Sequence, residues 1–211
     1  MSKKTYLFDF DGTLVDSMPT FCSVMLCILD ENNISYPPDI LKIITPLGYT
    51  GTAEYFRKMG LDLPINKLFR TMTDYMKKEY AENIPAKPTV EKTLIKLKNE
   101  GASLNVLTAS PHDTLDVCLK RCGLFDIFDN VWSCEDFKTT KADPEIYKMA
   151  AKLIGEAPSD IIFVDDNINA VKTAKKAGMI AYGIYDDSSS DAIEEMKLAS
   201  DKYIYKFDEL L

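Results

Sequence analysis

Histidine is almost missing from this 211-residue chain, which has one, His112. A single imidazole excludes metal sites built from several histidines and relays that hand a proton between them. Pro111 before it puts His112 in the first turn of a helix, where it is expected to be exposed and to have no role. The five cysteines, Cys22, Cys27, Cys118, Cys122 and Cys134, include no Cys-x-x-Cys pair, and their odd number leaves one over. Buried thiols in a reducing compartment are expected, not a disulfide framework. No apolar run approaches the roughly 20 residues that span a membrane. The opening Met-Ser-Lys-Lys runs into a strand that holds Asp, so no secretory leader is expected. Positive charge is also short. The net charge is −8, and nucleic acids and anionic membranes need clustered Lys and Arg. Neither is expected as a partner, while a small anionic substrate, which senses local charge, remains compatible. Repeats are absent, and the one biased stretch, Asp186–Asp191, is expected to be a surface loop. The chain therefore reads as a cytoplasmic protein, monomeric or weakly dimeric.

What the chain does have is the profile of a globular protein, 46% hydrophobic and 27% charged. Its length suits one domain with a smaller insert. Residues 5–15, Thr-Tyr-Leu-Phe-Asp-Phe-Asp-Gly-Thr-Leu-Val, organise the rest. A short apolar run of this kind reads as a buried parallel strand. Asp9 and Asp11, two apart, point to one side of it. Asp11-Gly12 alone would be an ordinary turn. Asp9, inside the apolar run, needs a cation or an open strand end.

Residues 19–33, 39–45, 52–59 and 65–82 read as helices, with Leu47–Gly51 as a glycine-bounded loop. A strand-to-strand crossover needs one helix, so four imply an inserted helical domain over 16–84. From residue 85 helices alternate with strands at 103–107, 131–134, 160–164 and 180–185, and Asp143-Pro144 supplies a helix cap. The expected fold is α/β: a Rossmann-like parallel core from 1–15 and 85–211, with a helical insert. Weaker helices follow at 192–199 and 206–211.

In such sheets function gathers beyond the carboxyl ends of the strands. Asp9/Asp11, Thr108 and Asp165/Asp166 each stand at such an end, and Lys141 lies in a loop before a helix. Taken singly, each has an ordinary structural explanation. Their order resembles the four motifs of the haloacid dehalogenase superfamily: Asp9-Phe-Asp-Gly-Thr13, Leu107-Thr-Ala-Ser110, Lys141-Ala-Asp-Pro-Glu-Ile-Tyr147 and Phe163-Val-Asp-Asp-Asn167. Ala174-Lys-Lys-Ala-Gly-Met179 extends the last. The resemblance covers nearly the whole chain and is nearest the phosphoglycolate phosphatase and β-phosphoglucomutase group, whose helical cap the insert resembles.

That resemblance implies an Mg²⁺-dependent phosphatase acting on a small phosphorylated metabolite. Asp9 would be the nucleophile and Asp11 the acid–base group. Thr108, Ala109 and Lys141 would hold the phosphoryl oxygens, and Asp9, Asp11, Asp165 and Asp166 the metal. Converging carboxylates repel one another, and oxygen-only ligands suit Mg²⁺. Gly48, Tyr49 and Thr50 would meet the leaving group, and a hinge is expected at the crossings near 15–18 and 82–88. One departure is Ala170, where many relatives carry an acid; Asp165 could supply that charge.

Three competing functions follow from the same residues. A dehalogenase would lack Asp11. A β-phosphoglucomutase carries a cap His after the first motif and a cap Arg after the loop glycine, where this chain has Phe21 and Tyr49-Thr50-Gly51. A phosphoryl-accepting signalling domain has its acidic pair on the first strand, whereas Asp165-Asp166 comes late.

Overall fold

The computed structural model describes residues 4–211, apart from the side chains of Pro46 and Gly48. Residues 1–3, on which part of the leader expectation rests, lie outside the described residues. The chain divides into two compact units, Met1–Asp16 with Pro85–Leu211, and Ser17–Ile84. No described helix is long and apolar enough to cross a membrane.

The first unit begins with β1 (Thr5–Phe8), buried along its whole length. The second unit then takes over with four helices: α1 (Met18–Glu31), α2 (Ile40–Ile44), α3 (Gly48–Lys58) and α4 (Ile65–Glu82). Of the positions expected at helical spacing on α4, Leu68, Met72, Met76 and Tyr80 are buried, while Tyr75 is only half-buried. The stretch read as a loop at 47–51 is helical instead. Thr45–Leu47 forms a 3₁₀ turn that leads directly into α3. A Cβ at Gly51 would lie 2.8 Å from Leu47 Cβ, so this glycine allows close packing of one helical turn on another.

The first unit resumes with α5 (Val90–Asn99), β2 (Ser103–Thr108), α6 (His112–Arg121), β3 (Asn130–Ser133) and α7 (Cys134–Phe137). It continues with α8 (Pro144–Ile154), β4 (Ile161–Asp165), α9 (Ile168–Lys176), β5 (Ile180–Ile184), α10 (Ile193–Ala199) and β6 (Lys202–Ile204). The strands form one parallel sheet in the order β3-β2-β1-β4-β5-β6. The parallel α/β core expected from the sequence is thus present. Alternation along β1 sends Leu7 to one face, where it joins a cluster with Leu107, Phe163, Tyr147 and Val171. On the other face Tyr6 stacks on Phe8, and Phe8 meets Phe128 and Phe207. Strand order reverses between β1 and β4, so the crevice at their carboxyl ends is where such a sheet binds ligands.

Several local expectations need correction. β6 and α7 were not expected, and the end of the chain, read as a helix at 206–211, is a 3₁₀ turn, Phe207–Leu210. The Asp186–Asp191 stretch is not a plain loop, because Asp187–Ala192 is a 3₁₀ helix whose N-cap, Asp186, is buried. Of the cysteines, Cys118 and Cys134 are buried as expected, but Cys27 is exposed.

Candidate active site

Asp9 follows β1 directly, and its N–H donates to Val164 O at 2.9 Å, which extends the β1–β4 pairing to the strand ends. The residue is 5% exposed. On the other side of that pairing β4 ends in Asp165, which is fully buried. Asp165 Oδ1 accepts the N–H of Asn167 at 2.6 Å, which orients the carboxylate. Asp166 receives the Thr13 hydroxyl on Oδ1 at 3.2 Å. Asp9, Asp165 and Asp166 each bring one oxygen within 4.8 Å of the others.

Lys141 reaches this group from the loop before α8. Asp143 caps α8 by accepting the N–H of Glu145 at 3.0 Å, and Pro144 occupies the first turn. The buried Tyr147 hydroxyl donates to Lys141 O at 3.1 Å and lies 3.2 Å from Ala170 O. That contact ties the loop to α9, where Ala170 brings no side-chain charge. Lys141 Nζ donates to Asp9 Oδ1 at 2.5 Å and to Asp165 Oδ2 at 2.8 Å.

The electrostatics follow from burial. Desolvation, then the Asp165 charge, push the Asp9 carboxyl up to about 7 against the opposing pull of Lys141. Asp166 is also raised, by burial and then by Asp165, Asp9 and Asp186. Burial would lower the Lys141 ammonium, but Asp165 and Asp9 outweigh it and hold Lys141 well above the ordinary lysine range. One ammonium thus does not balance the clustered carboxylates. An oxygen-only donor set with surplus negative charge fits a hard divalent cation such as Mg²⁺.

The remaining expected residues lie on several elements. Asp11 is not one of the three clustered carboxylates, and its Oδ2 accepts the Ser110 hydroxyl at 2.5 Å. Thr108 ends β2, and its hydroxyl accepts the Ser110 N–H at 3.1 Å. Ala109 lies exposed between them. Gly48, Tyr49 and Thr50 belong to the second unit, in the first turn of α3. Tyr49 packs its ring against Phe21 and Phe69 of that unit. The surroundings of Gly48 lie outside the described residues.

His112 is more engaged than expected. It opens α6 and is half-buried, with Nδ1 2.8 Å from Asp116 and Nε2 2.8 Å from Asp136. Two residues near the site were missed altogether. Lys87 donates from Nζ to Gly12 O at 2.7 Å and to Asp186 Oδ2 at 2.8 Å. Asp186 could have been found, since it stands beyond the strand at 180–185, as Asp165 does at the end of β4, and precedes serines in a capping pattern. Lys87 carries no comparable local signal.

A family model described as haloacid dehalogenase-like hydrolase matches residues 6–184. Among related sequences, the pyrophosphatase PpaX of Bacillus velezensis is 31% identical over 179 residues, spanning 84% of this chain and 81% of that protein. The phosphoglycolate phosphatase of Psychrobacter arcticus is 25% identical over 193 residues, spanning 87% of this chain and 84% of its own. Among solved structures, CbbY from Rhodobacter sphaeroides in complex with phosphate superimposes with a TM-score of 0.80, over 99% of this chain and 96% of that one. Its 20% identity makes this a likeness of fold.

Proposed function

The chain belongs to the haloacid dehalogenase-like hydrolase family, and from that premise we propose that it is an Mg²⁺-dependent phosphatase cleaving small phosphate monoesters through an aspartyl-phosphate. Family membership and the phosphatase names of its relatives make it a phosphatase hydrolase. The metal, the covalent intermediate and the substrate class are the content of the proposal. The observation that carries it is the Lys141 ammonium between Asp9 and Asp165, with Asp166 completing an oxygen cluster at the strand ends.

In this reading the Asp9 carboxylate attacks phosphorus, and the bond from phosphorus to the leaving oxygen breaks. Asp11 gives that oxygen a proton and later takes one from the water that hydrolyses the acyl phosphate. The Ser110 hydroxyl on Asp11 Oδ2 orients the carboxyl for both steps. Lys141, Thr108 and the backbone at Ala109 hold the phosphoryl oxygens as charge spreads over them. A bound Mg²⁺ would neutralise the carboxylates and the phosphate together. Asp9 and Asp166 are its principal proposed ligands, with Asp165 as a further one. Asp11, bonded to Ser110, is better supported as acid and base than as a ligand. The second unit is proposed as the cap that selects the leaving group, with Gly48, Tyr49 and Thr50 as its substrate contacts.

The test is phosphate release from a panel of monoesters and inorganic pyrophosphate, with Mg²⁺ and with EDTA. Release from at least one small monoester, lost in EDTA and restored by Mg²⁺, is the expected result. Release that is indifferent to EDTA, or hydrolysis of pyrophosphate alone, would overturn the metal or the substrate class respectively.

A further inference from the structure

We propose that Lys87 is a positioning residue for the acidic cluster: it fixes the loop 12–14, and through that loop the carboxylate of Asp166. The inference rests on reading the cluster as a divalent-cation site.

Lys87 grips the loop at two points. Its backbone N–H donates to Leu14 O at 2.9 Å. Its ammonium donates to Gly12 O at 2.7 Å. The neighbouring Ala86 pairs with Val15 in an antiparallel bridge, which holds the two segments side by side. The other ammonium protons go to Tyr185 O at 3.0 Å and Asp186 Oδ2 at 2.8 Å. An ammonium has three donors and no acceptor, so all its hydrogen-bonding capacity is spent within the protein. The Lys87 and Asp186 side chains are 16% and 5% exposed. A sheltered ion pair is tolerated when fully hydrogen-bonded, and breaking one partner is costly. Burial works against the charge on Asp186, but the bonds from Lys87 and Ser188 outweigh it and hold the carboxyl below its ordinary value.

The gripped loop rests directly on Asp166. Gly12 has a φ of +74°, and a Cβ there would stand 2.6 Å from Asp166 Oδ2. Thr13, the next residue, donates its hydroxyl to Asp166 Oδ1 at 3.2 Å. Both oxygens of Asp166 are therefore bounded by the segment that Lys87 holds. A shift of a few tenths of an ångström at Gly12 would move or release the carboxylate.

A simple staple between the 12–14 loop and the turn after β5 would use the same bonds. The two roles differ in what they predict for the folded protein. Loss of the staple lowers stability and leaves cation affinity alone. Loss of positioning weakens cation affinity. Electrostatics alone predicts the opposite sign, because removing a positive charge near the carboxylates would strengthen cation binding.

The experiment is Mg²⁺ titration by isothermal calorimetry on substrate-free protein, at a temperature where circular dichroism shows each variant folded. Lys87→Met keeps the aliphatic stem and removes the donors. Lys87→Arg keeps the charge but cannot place three N–H donors around one point. Both variants are expected to bind Mg²⁺ about tenfold more weakly, the scale of lost support around a metal ligand. Lys87→Arg carries the test if Lys87→Met does not fold. Unchanged or tighter Mg²⁺ binding in a folded variant overturns the proposal while leaving the cation site in place. Absence of Mg²⁺ binding by the unaltered chain would remove the cation-site reading itself, and this role of Lys87 with it.

Discussion

Lys141 Nζ stands 2.5 Å from Asp9 Oδ1 across 132 positions of the chain. The pair makes Asp9→Asn an informative substitution. The amide keeps the shape and removes both the nucleophilic oxygen and a buried charge, while Lys141 keeps Asp165 at 2.8 Å. Turnover is expected to fall by roughly 10⁴-fold or more, as for other lost nucleophiles. The unfolding midpoint should move by no more than about 3 °C. Appreciable turnover by the folded variant would rule Asp9 out as the nucleophile.

Metal removal should carry a pH signature. Without a cation, the Asp9 carboxyl is raised from 3.8 to about 7, chiefly by burial. The folded state then binds more protons than the unfolded chain between those values, so stability falls as pH rises through that window. Mg²⁺ bound at the proposed site would compete with those protons. The upward shift of the unfolding midpoint on adding Mg²⁺ should therefore be larger at pH 8 than at pH 5, and Asp9→Asn should flatten the difference. Equal shifts at both pH values would contradict this account of the cluster.

His112 gives a second pH dependence of stability, of the same sign. The hydrogen bonds to Asp116 and Asp136 raise its pKa above 6.5, with burial opposing them. Asp136 also accepts the Ser133 N–H at 2.9 Å, so the imidazole ties α6 to the capping box of α7. With the folded pKa raised, the contribution is fully present below pH 6.5 and is lost as pH rises through the folded value. The side chain is 39% exposed, so solvent screening limits the effect to about 0.5 kcal/mol. Unfolding curves of the unaltered chain and His112→Gln should differ most near pH 6 and converge above pH 8. A gap that does not change with pH would mean the imidazolium is not what stabilises this corner.

Thr89 is a strained position, and among the described non-glycine residues with positive φ it is the β-branched one. It precedes α5 with φ 68° and ψ −6°, and its side chain makes no capping bond. A β-branched residue is disfavoured in this left-handed region by about 1–2 kcal/mol, which glycine avoids. The extra freedom of glycine in the unfolded chain takes back part of that. Thr89→Gly is expected to stabilise the protein by about 0.5–1 kcal/mol, read as a higher midpoint in urea. A lower midpoint would show that the threonine makes a compensating contact.

Local pattern made part of this molecule readable. Buried parallel strands appear as apolar runs ended by a polar residue, so the positions of Asp9, Thr108 and Asp165 at strand ends follow from their neighbours in the chain. Asp143-Pro144 likewise announced α8. β6 escaped because three residues, Lys202–Ile204, are too few to display a period. Gly48–Gly51 misled because glycine normally marks turns, whereas Gly51 is required by the closeness of Leu47. The Lys87–Asp186 pair joins residues 99 apart. Pairing at that range depends on which strands are neighbours, and no local pattern carries that information.

The last prediction concerns the fate of the acyl phosphate proposed on Asp9. A mutase must shield it from water and pass the phosphoryl group to a sugar hydroxyl. Relatives that do so carry a cap histidine where this chain has Phe21. Phe21 lies on α1 with its ring 5.5 Å from that of Tyr49, and Tyr49 lies 6.2 Å from Phe69. A phenyl ring at this position packs but cannot shuttle a proton. Arg57, on α3, is the first arginine in the chain, well beyond the glycine at 48. The proposed acid–base group, Asp11, is held by Ser110 in the first unit. Water activated by Asp11 is therefore the expected acceptor. Small monoesters should yield inorganic phosphate, and β-glucose 1-phosphate should not be converted to glucose 6-phosphate. A coupled assay with glucose 6-phosphate dehydrogenase and a bisphosphate primer reads this directly. Sustained NADPH formation would assign the chain to phosphoryl transfer between sugars in place of hydrolysis.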